Sequence, residues 1–130
     1  MIKVTIPNLP KLTKALNKYP ETAGKELSIA FTKSALQVVR ETKPITPLKT
    51  GRLRSSIGQQ GGEGIFLIEK MRAIIGTNVK YAVYVHEGTK FMAGRPFLAT
   101  GTQKAMSDIQ QYFKNALTNI TEKIAKQTNQ

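Results

Sequence analysis

Met106-Ser107-Asp108-Ile109-Gln110-Gln111-Tyr112-Phe113-Lys114-Asn115-Ala116-Leu117-Thr118-Asn119-Ile120-Thr121-Glu122-Lys123-Ile124 places apolar residues at Met106, Ile109, Phe113, Ala116/Leu117, Ile120 and Ile124. Steps of three and four residues are the period of a helix that buries one face. Arg95-Pro96-Phe97-Leu98 opens this helix, and Gly101 is where a bend is expected. A second long helix is expected from about Glu21 to Thr42, with Ala23, Leu27, Ala30, Phe31, Ala35 and Val38 as its stripe. Pro20 suits the first helical position, whose N–H is unbonded in any case. Gly24 weakens the first turn, and Pro44 ends the helix. Further upstream, Leu9, Leu12, Ala15 and Leu16 predict a short helix over Leu9–Tyr19, interrupted by Pro20.

Between the long helices the grammar changes. Pro44-Ile45-Thr46-Pro47-Leu48-Lys49-Thr50-Gly51 reads as a loop, since two prolines and a glycine do not fit a regular element. Leu53–Gln59 is the first strand candidate, with Leu53, Ser55 and Ile57 on one face. Gln60–Gly64 reads as a turn. Ile65–Glu69 and Arg72–Gly76 read as two more strands, joined tightly at Lys70-Met71, which makes a three-stranded antiparallel meander. Tyr81–Gly88 fits two patterns. Alternation suits a strand, whereas Tyr81, Tyr84, Val85 and Gly88 suit one helical face. Thr89–Gly94 reads as a loop and the polar Lys126–Gln130 as a frayed end. The expected class is α+β: a small antiparallel β-meander packed against a long N-terminal-half helix and a long C-terminal helix. Residues 1–130 are expected to form one domain, with 1–19 as an N-terminal arm and short helix.

Composition narrows the function. The 130 residues contain no cysteine, which removes disulfides, thiolate metal sites and cysteine nucleophiles. The longest apolar runs, Ile65–Ile68 and Tyr81–Val85, fall far short of the ~20 residues of a bilayer span, so no membrane partner is expected. Met1–Pro7 holds no apolar stretch long enough for a secretory signal. The expectation is a protein made in the cytoplasm that leaves it only within an assembly. The formal net charge is +12. Residues 1–39 contribute +4, residues 40–95 +6 and residues 96–130 +2, and all five arginines (Arg40, Arg52, Arg54, Arg72, Arg95) lie in the middle block. The planar fork of arginine suits carboxylates, phosphates and packed interfaces, so a partner is sought in that block.

Catalytic chemistry is thin. His86 is the single histidine, and Glu87 beside it is not a dyad by sequence adjacency alone. Asp108 is the single aspartate, and the glutamates show no metal-ligand spacing. Gly58, Gly61, Gly62 and Gly64 precede no Gly-Lys-Ser/Thr, so they read as a turn and not as a phosphate loop. No enzyme, cofactor or metal is expected. A small basic nucleic-acid-binding protein is the alternative: Lys49, Arg52 and Arg54 could neutralise phosphates, and Tyr81, Tyr84, Phe91 and Phe97 could stack on bases. No recognised nucleic-acid-binding signature accompanies them.

Three segments in order carry a resemblance. They are Pro47-Leu48-Lys49-Thr50-Gly51-Arg52-Leu53-Arg54-Ser55-Ser56-Ile57, then Ile75-Gly76-Thr77-Asn78-Val79-Lys80-Tyr81-Ala82-Val83-Tyr84-Val85-His86-Glu87-Gly88-Thr89, then Gly94-Arg95-Pro96-Phe97-Leu98. Together they resemble the tail-component, or neck, proteins of long-tailed bacteriophages, also described as head–tail joining or tail-completion proteins. The likeness covers roughly residues 20–120. His86-Glu87 departs from the pattern, as does Ala99-Thr100-Gly101, where a further proline is common. The resemblance implies a small α+β structural subunit, not an enzyme. Such subunits form rings, usually hexameric, where the tail meets the head connector. Partners would be other copies, neighbouring neck, connector, tail-tube or tail-terminator proteins, and DNA passing through the channel. The location would be the virion neck.

In that role Thr50-Gly51 turns the chain and Leu53 and Ile57 face the core. Tyr81 and Tyr84 offer rigid contact area. Gly88 allows a tight exit into Thr89–Gly94. Arg95 can pair with a carboxylate of the same or an adjacent subunit. The assembly candidates are Lys49, Thr50, Gly51, Arg52, Arg54, Tyr81, Tyr84, Glu87, Gly88, Thr89, Phe91, Arg95, Pro96 and Phe97. For Tyr81, Arg95 and Phe97, packing within the chain is the equal alternative. Because every copy is strongly basic, acidic neighbours facing the arginine block are expected. Arg52→Glu and Arg54→Glu should then impair particle assembly, and full-length infectious particles from both would overturn that expectation.

Overall fold

The computed structural model describes residues 9–47, 51–69, 72–90 and 92–128. The Lys70-Met71 turn and the assembly candidates Lys49, Thr50 and Phe91 lie outside these residues. In chain order the elements are α1 (Leu9–Lys18), α2 (Pro20–Thr42), α3 (Arg52–Ser56), β1 (Gly64–Glu69), β2 (Arg72–Thr77), α4 (Ala82–Glu87), β3 (Gly88–Thr89), β4 (Met92–Ala93) and α5 (Phe97–Thr128). The class is α+β, as expected. Pro20 stands in the first turn of α2. Pro44 ends the α-helical ladder, but the chain keeps coiling through a 3-10 turn at Lys43–Ile45.

α2 and α5 pack antiparallel. Glu26 meets Lys123, Phe31 meets Phe113, and Thr42 meets Gly101. The expected α2 stripe of Ala23, Leu27, Ala30, Phe31, Ala35 and Val38 is buried throughout. On α5 the buried positions are Ala105, Ile109, Phe113, Ala116 and Ile120. Met106, Leu117 and Ile124 flank them half-buried. Leu12 and Leu16 of α1 complete this cluster, and the Phe31 and Phe113 rings meet edge-on at 4.9 Å. Buried Glu26 is tied to α5 by Lys123 Nζ at 2.5 Å and Asn119 Nδ2 at 3.3 Å. The hydrogen bond from Lys123 holds the Glu26 carboxyl below its ordinary range, against the opposing pull of burial.

α5 runs as one continuous helix through Gly101, the position of the expected bend. The glycine serves a close approach. A Cβ at position 101 would lie 2.0 Å from Thr42 Oγ1 and 2.9 Å from Thr42 Cα. No rotamer change of Thr42 relieves a clash with its own Cα.

β1 and β2 form a two-stranded antiparallel hairpin with Phe66 opposite Ile75, Leu67 opposite Ile74 and Ile68 opposite Ala73. One face, through Ile68, Ala73 and Ile75, packs on the helical core. The three-stranded meander is therefore corrected to a hairpin, because Leu53–Gln59 is not a strand. Its buried residues are Leu53, Ser56 and Ile57, at helical spacing, while Ser55 is exposed. Gly51 at φ 76° turns the chain into α3, a left-handed conformation that glycine adopts without a Cβ penalty. The Ser56 hydroxyl then bonds the Leu53 carbonyl at 2.6 Å. Such local bonding competes with a strand ladder. Tyr81–Gly88 resolves as helix α4, but Tyr84 does not share the buried face. Ala82 is buried and Tyr81 and Val85 are half-buried, while Tyr84 projects outward. The Thr89–Gly94 loop contains the short β3–β4 ladder.

Two measurements check this packing. Gly101→Ala should lower thermal stability by about 1–3 kcal/mol of overpacking, despite the ~1 kcal/mol that alanine gains over glycine inside a helix. Glu26, whose carboxyl is depressed in the fold, stabilises it above the ordinary carboxylate pKa of about 4.5, and that stabilisation is lost as pH falls through the lower folded value. Acid unfolding curves should therefore fall less steeply below pH ~4.5 for Glu26→Gln than for the unsubstituted chain.

Candidate functional site

A second hydrophobic cluster gathers residues far apart in sequence. Its buried members are Leu53, Ile57, Val79, Ala82 and Phe97, with Val39, Ile45, Tyr81, Val85 and Leu98 packed against them. Every buried member comes from one of the three segments singled out above. Leu53 and Ile57 come from the first, Val79 and Ala82 from the second, and Phe97 from the third. The segments thus form one structural unit, which sits where α2 ends and α5 begins.

Polar bonds lock the unit. Ser56 Oγ and Thr77 Oγ1 lie 2.6 Å apart, joining α3 to the end of β2, and Thr77 Oγ1 also accepts the Val79 N–H at 3.1 Å. Arg54 reaches back over the loop and donates to the Thr46 carbonyl at 2.8 and 3.2 Å. Thr46, itself buried, donates its hydroxyl to the Thr42 carbonyl at 2.7 Å. Arg52 makes a forked pair with Glu63, with Nε at 2.8 Å from both carboxylate oxygens and a terminal nitrogen at 2.5 Å from one. That bond holds the Glu63 carboxyl below its ordinary value. Arg72 pairs with Glu69 beside the hairpin turn.

The helix α4 ends at Gly88, whose φ of 86° few other residues adopt at low cost. The chain then returns so closely that a Cβ on Gly94 would lie 2.6 Å from the Glu87 carbonyl carbon. The Arg95 N–H donates to the Val85 carbonyl at 2.8 Å, which leads Phe97 into the cluster. The His86 ring meets Phe97 edge-on at 5.2 Å, and its Nδ1 lies 2.8 Å from Glu87 Oε1. The two neighbours therefore do touch, contrary to what adjacency suggests. The other ring nitrogen is buried with no hydrogen-bond partner among the described residues, so no nucleophile is bonded there. Nor do any three His, Asp or Glu gather as metal ligands among the described residues.

The candidates therefore divide. Gly51 shapes a turn. Arg52 and Arg54 bond within the chain. Tyr81 and Phe97 pack in or against the cluster. Tyr84, Glu87, Thr89, Arg95 and Pro96 stay on its surface, with Val83 beside them. Ser56 and Thr77 are positioning residues that spacing alone did not single out. Their signal is only a hydroxyl three residues after Leu53 and another in the Gly-Thr pair. Loss of assembly in Arg52→Glu would now report first the loss of the Glu63 bond, so it no longer isolates a partner contact.

A model of the family described as "Bacteriophage HK97-gp10, putative tail-component" matches residues 10–88. No curated protein and no solved structure matches the chain. The matched region contains the first segment and the second as far as Gly88, and the third lies beyond it, although Phe97 packs into the same cluster.

Phe97→Ala should destabilise the chain by about 3–5 kcal/mol, the usual cost of emptying a buried aromatic site. Chemical denaturation followed by circular dichroism measures it. A loss below 1 kcal/mol would show that the second cluster is not a cooperative part of the fold.

Proposed function

Because the chain belongs to the HK97-gp10-like family of bacteriophage tail components, we propose that it forms a ring at the head–tail junction of a tailed phage or prophage. The family is one of structural tail components, not of enzymes. Among the described residues, no helix is long and apolar enough to cross a membrane. The work of such a protein is assembly: it joins a completed tail to a DNA-filled head and leaves a channel open. A closed ring is heterologous, so each subunit needs two different complementary faces.

The observation that carries this reading is the convergence of the three segments on one cluster. A family pattern spread over some fifty residues becomes a rigid block, and Tyr84, Glu87, Thr89 and Arg95 stand on its surface. Rigid elements position contact residues better than loops do. The charge supports the reading as well. Arg52, Arg54 and Arg72 are engaged within the chain, and α1, α2 and α5 carry nine of the fifteen lysines. α1 carries Lys11, Lys14 and Lys18 with no acid. Lysine-rich outer helices suit acidic neighbours and a channel for DNA better than base-specific recognition, which relies on arginine, asparagine and glutamine forks.

A phage or prophage with this gene interrupted should accumulate DNA-filled heads and separate tails, visible by electron microscopy. Adding the purified chain to such a lysate should restore joined particles. Joined, infectious particles without the protein would overturn the junction role.

A further inference from the structure

The first helix carries a one-sided charge. α1 holds Lys11, Lys14 and Lys18 and no acid. The first acid of the chain is Glu21, so residues 1–20 add Lys3 and no negative side chain. The two longer helices are nearer to balance. α2 has three cations and three acids, and α5 has four cations and two acids. Among the described residues none of the α1 lysines makes an ion pair. Lys18 stands over the Tyr19 ring, 5.6 Å from its centre.

The three lysines share one face. At 3.6 residues per turn they fall within an arc of about 60°, on the side away from Leu12 and Leu16. All three are exposed, whereas Leu12 and Leu16 are buried in the main core. With about 1.5 Å of rise per residue, the stripe from Lys11 to Lys18 is ~10 Å long. A basic helix with an apolar opposite face suits a membrane surface, but the apolar face of α1 is already packed on the other helices.

Lysine decides between the remaining anions. Packed protein interfaces are depleted in lysine and enriched in arginine and aromatic rings, and α1 has no arginine. Lysine is instead a flexible point charge that meets a phosphate without demanding a fixed fork. A nucleic-acid duplex carries one charge per ~1.7 Å of its axis, so a stripe of ~10 Å meets several phosphates and reads no base. Arg52 and Arg54, the phosphate binders that the sequence offers, are bonded within the chain. We propose that the outer face of α1 binds the phosphate backbone of nucleic acid without regard to base sequence. Duplex DNA is the form that the ring reading above supplies, so the choice of DNA rests on that reading, whereas the phosphate contact does not.

Fluorescence anisotropy of a labelled DNA duplex, titrated with the full-length chain at several salt concentrations, tests the contact. Lys11→Gln/Lys14→Gln/Lys18→Gln should lower the slope of log affinity against log salt by about 2–3, near 0.9 for each phosphate released. Lys33→Gln/Lys104→Gln/Lys114→Gln removes the same charge from exposed positions of α2 and α5 and should leave the slope within about one of the unsubstituted chain. Thermal unfolding should be alike for both triple variants. Equal loss from the two would show general attraction to a basic surface and overturn the proposal. Polyglutamate that displaces the labelled duplex as well, charge for charge, as unlabelled duplex does would assign the face to an acidic protein and also overturn it. Binding through α1 by a chain that forms no ring under the electron microscope would uphold the phosphate contact and overturn the ring.

Discussion

A close approach between the two long helices is the point on which the rest of the molecule hangs. Gly101 faces Thr42 where even one methyl group would strike backbone. This contact sets the distance between the end of α2 and the start of α5. Everything between those two points in sequence, residues 43–96, must leave one helix and return to the other within that distance. The 3-10 turn, Arg54 reaching back to the Thr46 carbonyl, and the entry of Phe97 all lie beside it. From there the two helices stay in contact through larger side chains, Phe31 on Phe113 and Glu26 on Lys123.

Two clusters follow from this arrangement, and they have different work. The larger one, built of α1, α2 and α5 with the inner face of the hairpin, supplies most of the buried apolar area and hence most of the hydrophobic stabilisation. The smaller one is built from the three family-like segments and serves geometry. It fixes α3, α4 and the β3–β4 ladder, elements too short to stand alone. A helix of five or six residues lies well below the roughly 12–15 that an isolated helix needs for even marginal stability. Only tertiary contacts hold such elements, and those contacts also place Tyr84, Glu87 and Arg95 on one surface block.

The charge acquires a different meaning once side chains are placed. In sequence the arginines look like a patch waiting for a partner. In the fold three of them hold the chain together. Arg52 bonds a carboxylate from the base of the hairpin, Arg54 bonds loop carbonyls, and Arg72 bonds across the turn. Arginine suits this use because its planar fork binds two acceptors at once. Lysine, with one flexible ammonium, covers the outer helices.

The long helices were legible because their signals repeat. Ala23 to Val38 and Ile109 to Ile120 present apolar residues at helical spacing over several turns, and packing reinforces every repeat. Pro20, Pro44 and the Arg95-Pro96-Phe97 opening mark the ends. The family pattern was legible too, as a string of residue types in order. What the string did not contain was distance. Leu53–Ile57 alternates plausibly as a strand, and Tyr81–Gly88 satisfies two periods at once, so a window of five to eight residues left both open. The tertiary structure decided them through Gly51 at positive φ, the Ser56–Thr77 hydroxyl pair and the burial of Ala82. It also placed Gly101 against Thr42, and it left Leu67, Ile74, Val83 and Tyr84 exposed. Periodicity is a local property that the chain carries with it, whereas the partner of a short segment, and the exposure of a side chain, exist only after distant residues have met.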